Sequence, residues 1–583
     1  MPALPQFDYL FAIGTLFAFL DAWNIGANDV ANSFATSVAS RSLTLKQAMC
    51  IASVMEFAGA MLVGSRVTDT IRTKVISISL FESDPSVLML GMVCAIAGSA
   101  TYLTIATKFT MPVSTTHSIM GGVIGVGIAA AGPNGVNWSF KGVSSVFAAW
   151  GIAPGISGCF GAIIFLITKY GVMRRKNPVK KAFIMVPLYF FLTSFLLALL
   201  IVWKGGSAKI KLTDYESVGV AFGVGGAVAI IVATFFIPFL HRKIIKDDWE
   251  LKGWEVIKGP LLLKRPEPRQ RPEGVTTGII PNFYEGHLTA DELAAKRANQ
   301  SVAAPANVED LEKGGAHVTH PKMDRSDSDI TPIPEPVTAA VAGPALRQLS
   351  KPKKQPPPGA WYTPSVLFFW VKYFALRGVE QDVVDQQKHK DFLSGDIEKI
   401  HATGEHYDNR AEYTYSFLQI MTASTTSFAH GANDVSNAIG PYTTIYFIWS
   451  TAKISSKVPV PLWILAFGGA GIVIGLWTYG YNIMRALGNK ITLHSPARGF
   501  SMELGAAVTI IMATKLALPV STTQCITGAT VGVGLCNGTW RTINWRMVAW
   551  IYMGWFITLP CAGLMSGCLM GIILNAPRWG GGV

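Results

Sequence analysis

The chain has 583 residues and a formal net charge of +13, with half of its residues hydrophobic and 15% charged. A soluble chain averages about 25% charged residues, so an ordinary soluble enzyme is excluded. Residues 241–411 hold 24 basic and 24 acidic residues, so the whole excess lies in the other 412 residues (25 basic, 12 acidic). In that apolar material it marks membrane edges rather than a nucleic-acid surface.

A membrane-crossing helix needs about 20 mostly apolar residues. In chain order such runs lie near 9–38, 46–65, 87–107, 112–131, 143–168, 182–203 and 216–240, then near 412–440, 461–482, 499–516, 518–536 and 546–574. They do not alternate as the strands of a membrane barrel must. The expected fold class is an all-α polytopic membrane protein of about 12 transmembrane segments. It divides into an N-terminal membrane half (1–240), a cytoplasmic, largely disordered insert (241–411) and a C-terminal membrane half (412–583).

Asp8 is the only charge before Asp21, and no Lys or Arg precedes Arg41. The first run therefore lacks the basic start of a cleavable leader and reads as a retained helix with its N-terminus outside. Seven crossings then put the insert in the cytoplasm. Five put the Lys169, Arg174, Arg175, Lys176, Lys180 and Lys181 cluster there too, as the positive-inside rule asks. Lys204, Lys209 and Lys211 fall outside and oppose it.

Within the insert, 259–360 carries no long periodic apolar run and has Pro-rich pieces such as Gln355-Pro356-Pro357-Pro358. Such composition buries too little apolar surface to order itself. Ser326 and Ser328 sit among acids and offer a kinase contact; a solvated linker is the plainer reading. Residues 363–384 mix Phe368, Phe369, Trp370, Phe374 and Leu376 with Lys372 and Arg377, which suits a helix lying in the membrane interface or docking on the body. The seven cysteines form no C-x-x-C pair and read as small buried apolar residues, not a disulfide or zinc framework.

The two halves repeat each other. Gly26-Ala27-Asn28-Asp29-Val30 recurs as Gly431-Ala432-Asn433-Asp434-Val435, each followed by a further Asn, Asn32 and Asn437. Pro112-Val113-Ser114-Thr115-Thr116 recurs as Pro519-Val520-Ser521-Thr522-Thr523, and Gly125-Val126-Gly127 as Gly532-Val533-Gly534. An odd number of crossings between the copies inverts the second. Inverted-topology repeats with broken helices or hairpins at the midplane are the architecture of secondary transporters.

An Asp at membrane depth costs roughly 2.5–3.5 kcal/mol unless paired. Asp and Asn supply hard oxygens that suit small hard cations, so each G-A-N-D motif reads as a sodium or proton site, with helix association as the alternative. In P-V-S-T-T, the Pro suits a first helical turn and the hydroxyls stand at a helix N-terminus, whose free N–H groups attract anions. Two such termini facing each other could hold a tetrahedral oxyanion without Lys or Arg. The other acids within apolar runs, Asp21, Glu56 and Glu503, join Asn32 and Asn437 as candidates for transport coupling. Arg41, Lys108, Arg485, Lys490 and Lys515 flank spans and read as snorkelling anchors. His117 and His430 have no matching His in the other copy (Gln524 and Ile25 stand there), which argues against a symmetric role. The Gly125/Gly127 pieces read as helix packing.

The pair G-A-N-D-V-A-N-S (26–33) and G-A-N-D-V-S-N-A (431–438), with P-V-S-T-T in each half, resembles the inorganic phosphate transporter (PiT) family. Phe428 to Asp434 and the large insert look like its fungal sodium–phosphate symporters. The resemblance covers both apolar halves but not the interior of the insert. It implies that Ser114, Thr115, Thr116, Ser521, Thr522 and Thr523 contact phosphate. It implies that Asn28, Asp29, Asn433 and Asp434 hold or organise sodium, and that Glu56 and Glu503 matter for transport. The second S-T-T is followed here by Gln524, where the family often has His.

The expectation is thus a sodium-coupled symporter importing inorganic phosphate across the plasma membrane by alternating access. Sodium is the co-transported ion, no cofactor is expected, and the partners are phosphate, sodium and the bilayer. Homo-oligomerisation stays open. Proton coupling or sulfate transport on the same architecture is the alternative, and a phosphate-binding membrane sensor or scaffold is one of another class. An enzyme reading lacks a paired nucleophile and base.

Overall fold

The computed structural model describes residues 2–66, 75–76, 78–140, 142–204, 212–272, 278–303, 356–376, 393, 395–455, 458–516 and 520–576. Among them every regular element is a helix, and one isolated β-bridge joins Ile76 to Val136. The chain divides into two compact units, Met1–Leu293 with Phe374–Val583, and Ala294–Tyr373.

The first unit holds both apolar halves. The first half contains α1 (Pro5–Ala39), α2 (Leu45–Val63), α3 (Pro85–Lys108), α4 (Thr115–Ala131), α5 (Val143–Met173), α6 (Pro178–Lys204) and α7 (Asp214–Ile245). The insert carries α8 (Ala290–Ala303), α9 (Pro364–Leu376) and α10 (Ile397–Ala402). The second half contains α11 (Asn409–Thr451), α12 (Leu462–Ala486), α13 (Pro496–Lys515), α14 (Thr522–Leu535) and α15 (Trp545–Asn575). A helix therefore stands at each expected apolar run, and α1–α5 correspond in order to α11–α15. Among the described residues, α1, α2, α3, α5, α6, α7, α12 and α15 are long and apolar enough to cross a membrane. Of the other four, α4 and α14 are short, with 17 and 14 residues, α11 is diluted by Ser, Thr, Asn and Gln, and α13 by Ser, Thr and charged residues.

Local chemistry sets the helix starts. Thr44 and Gln47 form a capping box before α2, and Asp84 caps α3, whose first residue is Pro85. Ser114 and Ser521 cap α4 and α14 by accepting the His117 and Gln524 amide protons at 3.3 and 3.4 Å. The S-T-T triplets thus sit at helix N-termini, as their sequence predicts.

Side-chain pairing shows how α3 and α4 run. Ser99 meets Asp21 and Thr107 meets Asn28, so α3 runs parallel to α1. Ser99 also meets Ser118, so α4 runs back along α3. The connection 109–114 stands level with Asn28, inside the length of α1. The pair is a hairpin that returns to the side it came from. In the other half, Glu412 accepts the Ala497 amide proton and Glu503 accepts the Thr422 hydroxyl, so α13 runs parallel to α11, and α14 begins beside Asp434. Counting the first hairpin as a return leaves five passages before the insert rather than seven. Both numbers are odd, so the inversion stands.

Each hairpin packs against the last helix of the other repeat, α4 on α15 and α14 on α5. A Cβ on Gly125 would lie 1.9 Å from the Gly563 carbonyl oxygen, and one on Gly532 would lie 2.2 Å from that of Gly158. The duplicated G-V-G is therefore a close helix contact, as read from its sequence. The cysteines are all free; Cys94 and Cys525 are buried, but Cys50, Cys159 and Cys568 are exposed, because those helix faces look outward from the body.

The insert differs from expectation at two points: α8 (Ala290–Ala303) is a helix within the stretch expected to be disordered, and a short aromatic segment there is anchored to the body. Phe283 and Tyr284 lie inside the stretch expected to be disordered, yet both are buried. The Tyr284 hydroxyl donates to Glu412 at 2.7 Å, and the Asn409 side chain accepts the Phe283 amide proton at 3.1 Å. Two rings and two hydrogen bonds anchor this segment, a feature too short to produce a periodic apolar signal. Fully buried Arg498 completes the cluster, donating to Asn537 at 2.9 Å and to the Glu405 carbonyl at 2.6 Å. Nearby, burial pushes the His401 and His494 imidazoles down to about 4. Helix α9 lies within the run 363–384; residues 377–384, Ser326 and Ser328 lie outside the described residues.

Candidate functional site at the two hairpin tips

The hydrogen-bond register of α1 widens to one π-helical turn at Ile25–Asp29, over the first G-A-N-D. Such turns re-aim side chains and recur at functional sites. The second copy keeps regular α-helix in α11. The α11 backbone there comes so close to α2 that a Cβ on Gly431 would lie 2.3 Å from the Glu56 carbonyl oxygen.

Asp29 is the meeting point of the halves. It accepts the Thr115 hydroxyl of its own hairpin at 2.9 Å and the Thr523 hydroxyl of the opposite hairpin. Asp434 accepts the Thr522 hydroxyl at 3.1 Å. Asn437 donates across the repeats to the Thr115 and Thr116 hydroxyls, each at 3.1 Å. Thr115, Thr116, Thr522, Thr523, Asp29, Asp434 and Asn437 thus gather at the two tips, all buried. Ser114 and Ser521 stand at the same helix starts as caps.

Two candidates stand differently. The Asn28 amide donates to Thr107 and to the Met111 carbonyl, both at 3.0 Å, and accepts the Val113 amide proton at 3.1 Å. It fixes the first hairpin tip rather than facing Asp434. Asn433, its counterpart, is half-buried. Asn32 lies in α1, but its side chain is outside the described residues, as is Pro519.

His430 has no counterpart in the first repeat, which argues against it in sequence. In the fold its Nε2 lies 2.9 Å from an Asp434 oxygen and 3.7 Å from an Asp29 oxygen, and its Nδ1 lies 2.7 Å from Glu56. Ser427 donates to the other Glu56 oxygen at 2.8 Å. One imidazole therefore touches three of the buried acids. The available signal was the spacing His430-x-x-x-Asp434, which puts both groups on one helix face. One ligand atom each from Asp29, His430 and Asp434 lies within 4.8 Å of the others, so the trio could hold a cation.

Glu503 and Asp21 lie apart from this trio. Glu503 is ringed by Thr36 at 2.5 Å, Ser37 at 2.7 Å, Gln419 at 3.1 Å and Thr422 at 2.6 Å. It is not the repeat partner of Glu56, since α13 corresponds to α3 and α2 to α12. Asp21 accepts one bond, from Ser99 at 2.8 Å.

Two inverted helical repeats, hairpin tips meeting inside the body and buried acids beside helix N-termini define a membrane carrier. The chain belongs to the phosphate transporter family, whose sequence profile matches residues 25–566. It is a transporter rather than an enzyme. It is 58% identical to the phosphate-repressible phosphate permease pho-4 of Neurospora crassa, over 99% of each chain. It is 28% identical to sodium-dependent phosphate transporter 1 of Mus musculus, over 98% of this chain and 96% of the relative. The human protein of that name is 29% identical over 93% and 92%. A solved structure described as "The sodium-dependent phosphate transporter" shares the fold, with TM-score 0.62, 24% identity and coverage of 98% of this chain and 100% of its own.

Proposed function

We propose that this protein imports inorganic phosphate across the plasma membrane together with sodium, by alternating access. The observation that carries this reading is that Asp29 accepts hydroxyls from both hairpins. Each hydroxyl has one proton to give. While Thr115 and Thr523 serve Asp29, and Thr522 serves Asp434, they cannot also donate to a phosphate oxygen. A sodium ion on the two carboxylates takes over that charge and releases three hydroxyls toward the anion. The helix N-termini at Thr115 and Thr522 then add unpaired backbone N–H groups. Sodium also removes the repulsion between two carboxylates and a phosphate a few ångströms away. The tips bind the two ions better together than singly, which is the thermodynamic basis of symport.

On this reading Ser114, Thr115, Thr116, Ser521, Thr522 and Thr523 contact phosphate, while Asp29 and Asp434 hold sodium. Asn28 acts by fixing the hairpin, and Asn437 by aligning Thr115 and Thr116. The N-terminus lies outside the cell and the 241–411 segment faces the cytoplasm. The sodium-dependent names of the mammalian relatives support sodium as the coupled ion. His430 among three acids favours a second reading, proton coupling.

Uptake of labelled phosphate into proteoliposomes at fixed pH, with and without an inward sodium gradient, tests the proposal. Sodium should accelerate uptake. Equal uptake without sodium removes the coupling, and full competition by excess sulfate removes the selectivity for phosphate.

A further inference from the structure

Among the described residues six acids lie buried in α1, α2, α11 and α13. Four of them, Asp29, Glu56, Glu412 and Glu503, have hydrogen-bond or imidazole partners on both carboxylate oxygens, those of Glu412 being Tyr284 and the Ala497 amide. Glu503 has donors on both oxygens, Glu56 has Ser427 and His430, and Asp29 has Thr115 and Thr523. Asp434 has Thr522 and His430 on Oδ2 and shares the tip cluster. Asp21 is different. It is completely buried, its Oδ1 accepts the Ser99 hydroxyl, and its Oδ2 has no partner. Asn24, one turn further along the same helix, is also fully buried, and its Oδ1 has no partner either, while its amide donates to the Leu20 and Ala100 carbonyls and to Thr104.

Two unpaired oxygen acceptors on one helix face need a positive charge or a proton between or upon them. The elements packed against α1 do carry charged groups, Glu56 of α2 and Glu503 of α13 among them. Lys108 of α3 lies nine residues beyond Ser99. From α11, His430 and Asp434 belong to the tip cluster, and Arg410 and Glu412 lie at the start of that helix. The charge of α12, Arg485, stands in its last turn. On α4, beside Ser118, His117 accepts the Trp150 indole proton at its Nε2. None of these forms an ion pair with Asp21 among the described residues.

We propose that Asp21 is a proton-carrying carboxylic acid, a site for one hydron beside the carrier's central cluster and present in the first repeat only. A bare carboxylate in an apolar interior is far less favourable than its neutral acid. The neutral acid carries its proton on Oδ2, the oxygen without a partner, while Ser99 donates to Oδ1. The repeat counterpart of Asp21 is Thr426, which carries no charge, so the second half cannot do the same. The proton comes from water and returns to it. Its loss leaves a bare buried anion, so the packed state requires it and transport slows as pH rises through the titration of Asp21. This rests on the carrier reading, yet it concerns a residue outside the sodium and phosphate sites.

The test is uptake by the full-length protein in proteoliposomes across pH at saturating sodium, for wild type and Asp21→Asn. The variant keeps the shape and is permanently neutral. Wild type should show an alkaline fall of several-fold that Asp21→Asn lacks, with sodium stimulation intact in both. Superimposable profiles overturn the proposal; loss of sodium stimulation in wild type overturns the symport reading instead. Should Asp21→Asn fail to reach the membrane, infrared spectra of wild type and Asp21→Glu decide. The C=O stretch of a protonated acid, shifted by the Glu variant and unmoved by sodium, supports the site. No such band, or one that sodium removes, overturns it.

Discussion

Thr523, at the tip of the second hairpin, donates its hydroxyl proton to Asp29 in the opening helix of the first repeat. The bond joins two residues 494 positions apart, and it links the candidate anion contact of one half to the candidate cation ligand of the other. Thr523→Val keeps the shape and removes the donor. A buried acceptor losing its donor costs about 1–3 kcal/mol, so sodium-dependent uptake should fall about tenfold or more, and Thr523→Ser should restore most of it. Transport assays at matched surface expression check this.

Asp29→Asn and Asp434→Asn each remove a charge that the trio with His430 needs. Sodium-dependent uptake should be lost in both while surface expression is kept. Normal uptake in both variants would remove the cation-site assignment.

Gly532 faces the Gly158 carbonyl and Gly125 faces that of Gly563. Gly532→Val must push α14 away from α5. Overpacking costs about 1–3 kcal/mol, so a lowered unfolding temperature and a poor folded yield are expected in detergent. Gly151→Val, where an added Cβ meets nothing within 4 Å, should leave both unchanged.

How much of this was legible from sequence varies by feature. The helical body and the two repeats were, because a 20-residue apolar run and a duplicated pentapeptide are local signals. The S-T-T helix starts were legible too, since Pro and a capping Ser announce them. The return of each hairpin was not, because that depends on which residue stands level with Asn28. In the sequence His430 lacks a repeat counterpart, yet the fold uses it asymmetrically, as a single bridge among Glu56, Asp29 and Asp434. The hydroxyls around Glu503 come from α1 and α11, and only tertiary packing assembles them. The Phe283–Tyr284 anchor was hidden inside a polar, Pro-rich insert.

That anchor can be loosened chemically. Tyr284→Phe removes the donor to Glu412 and should weaken local docking by about 1–3 kcal/mol. Faster amide exchange over 278–293, with the membrane helices unchanged, is the expected signature.

The same region should respond to acid. Burial holds His401 and His494 at about 4, below the ordinary value of 6.5. The unfolded segment therefore binds protons that the folded one does not. Docking stability is complete above pH 6.5 and declines as pH falls toward 4. Amide exchange of 395–408 should accelerate over that window, and His401→Gln should blunt the change.

The central claim, that sodium frees the tip hydroxyls for phosphate, is tested most directly by equilibrium phosphate binding to the purified protein across sodium concentrations at fixed pH. Sodium should tighten phosphate binding, phosphate should tighten sodium binding by the same factor, and Asp29→Asn should abolish the dependence. A phosphate affinity that does not change with sodium would contradict the account.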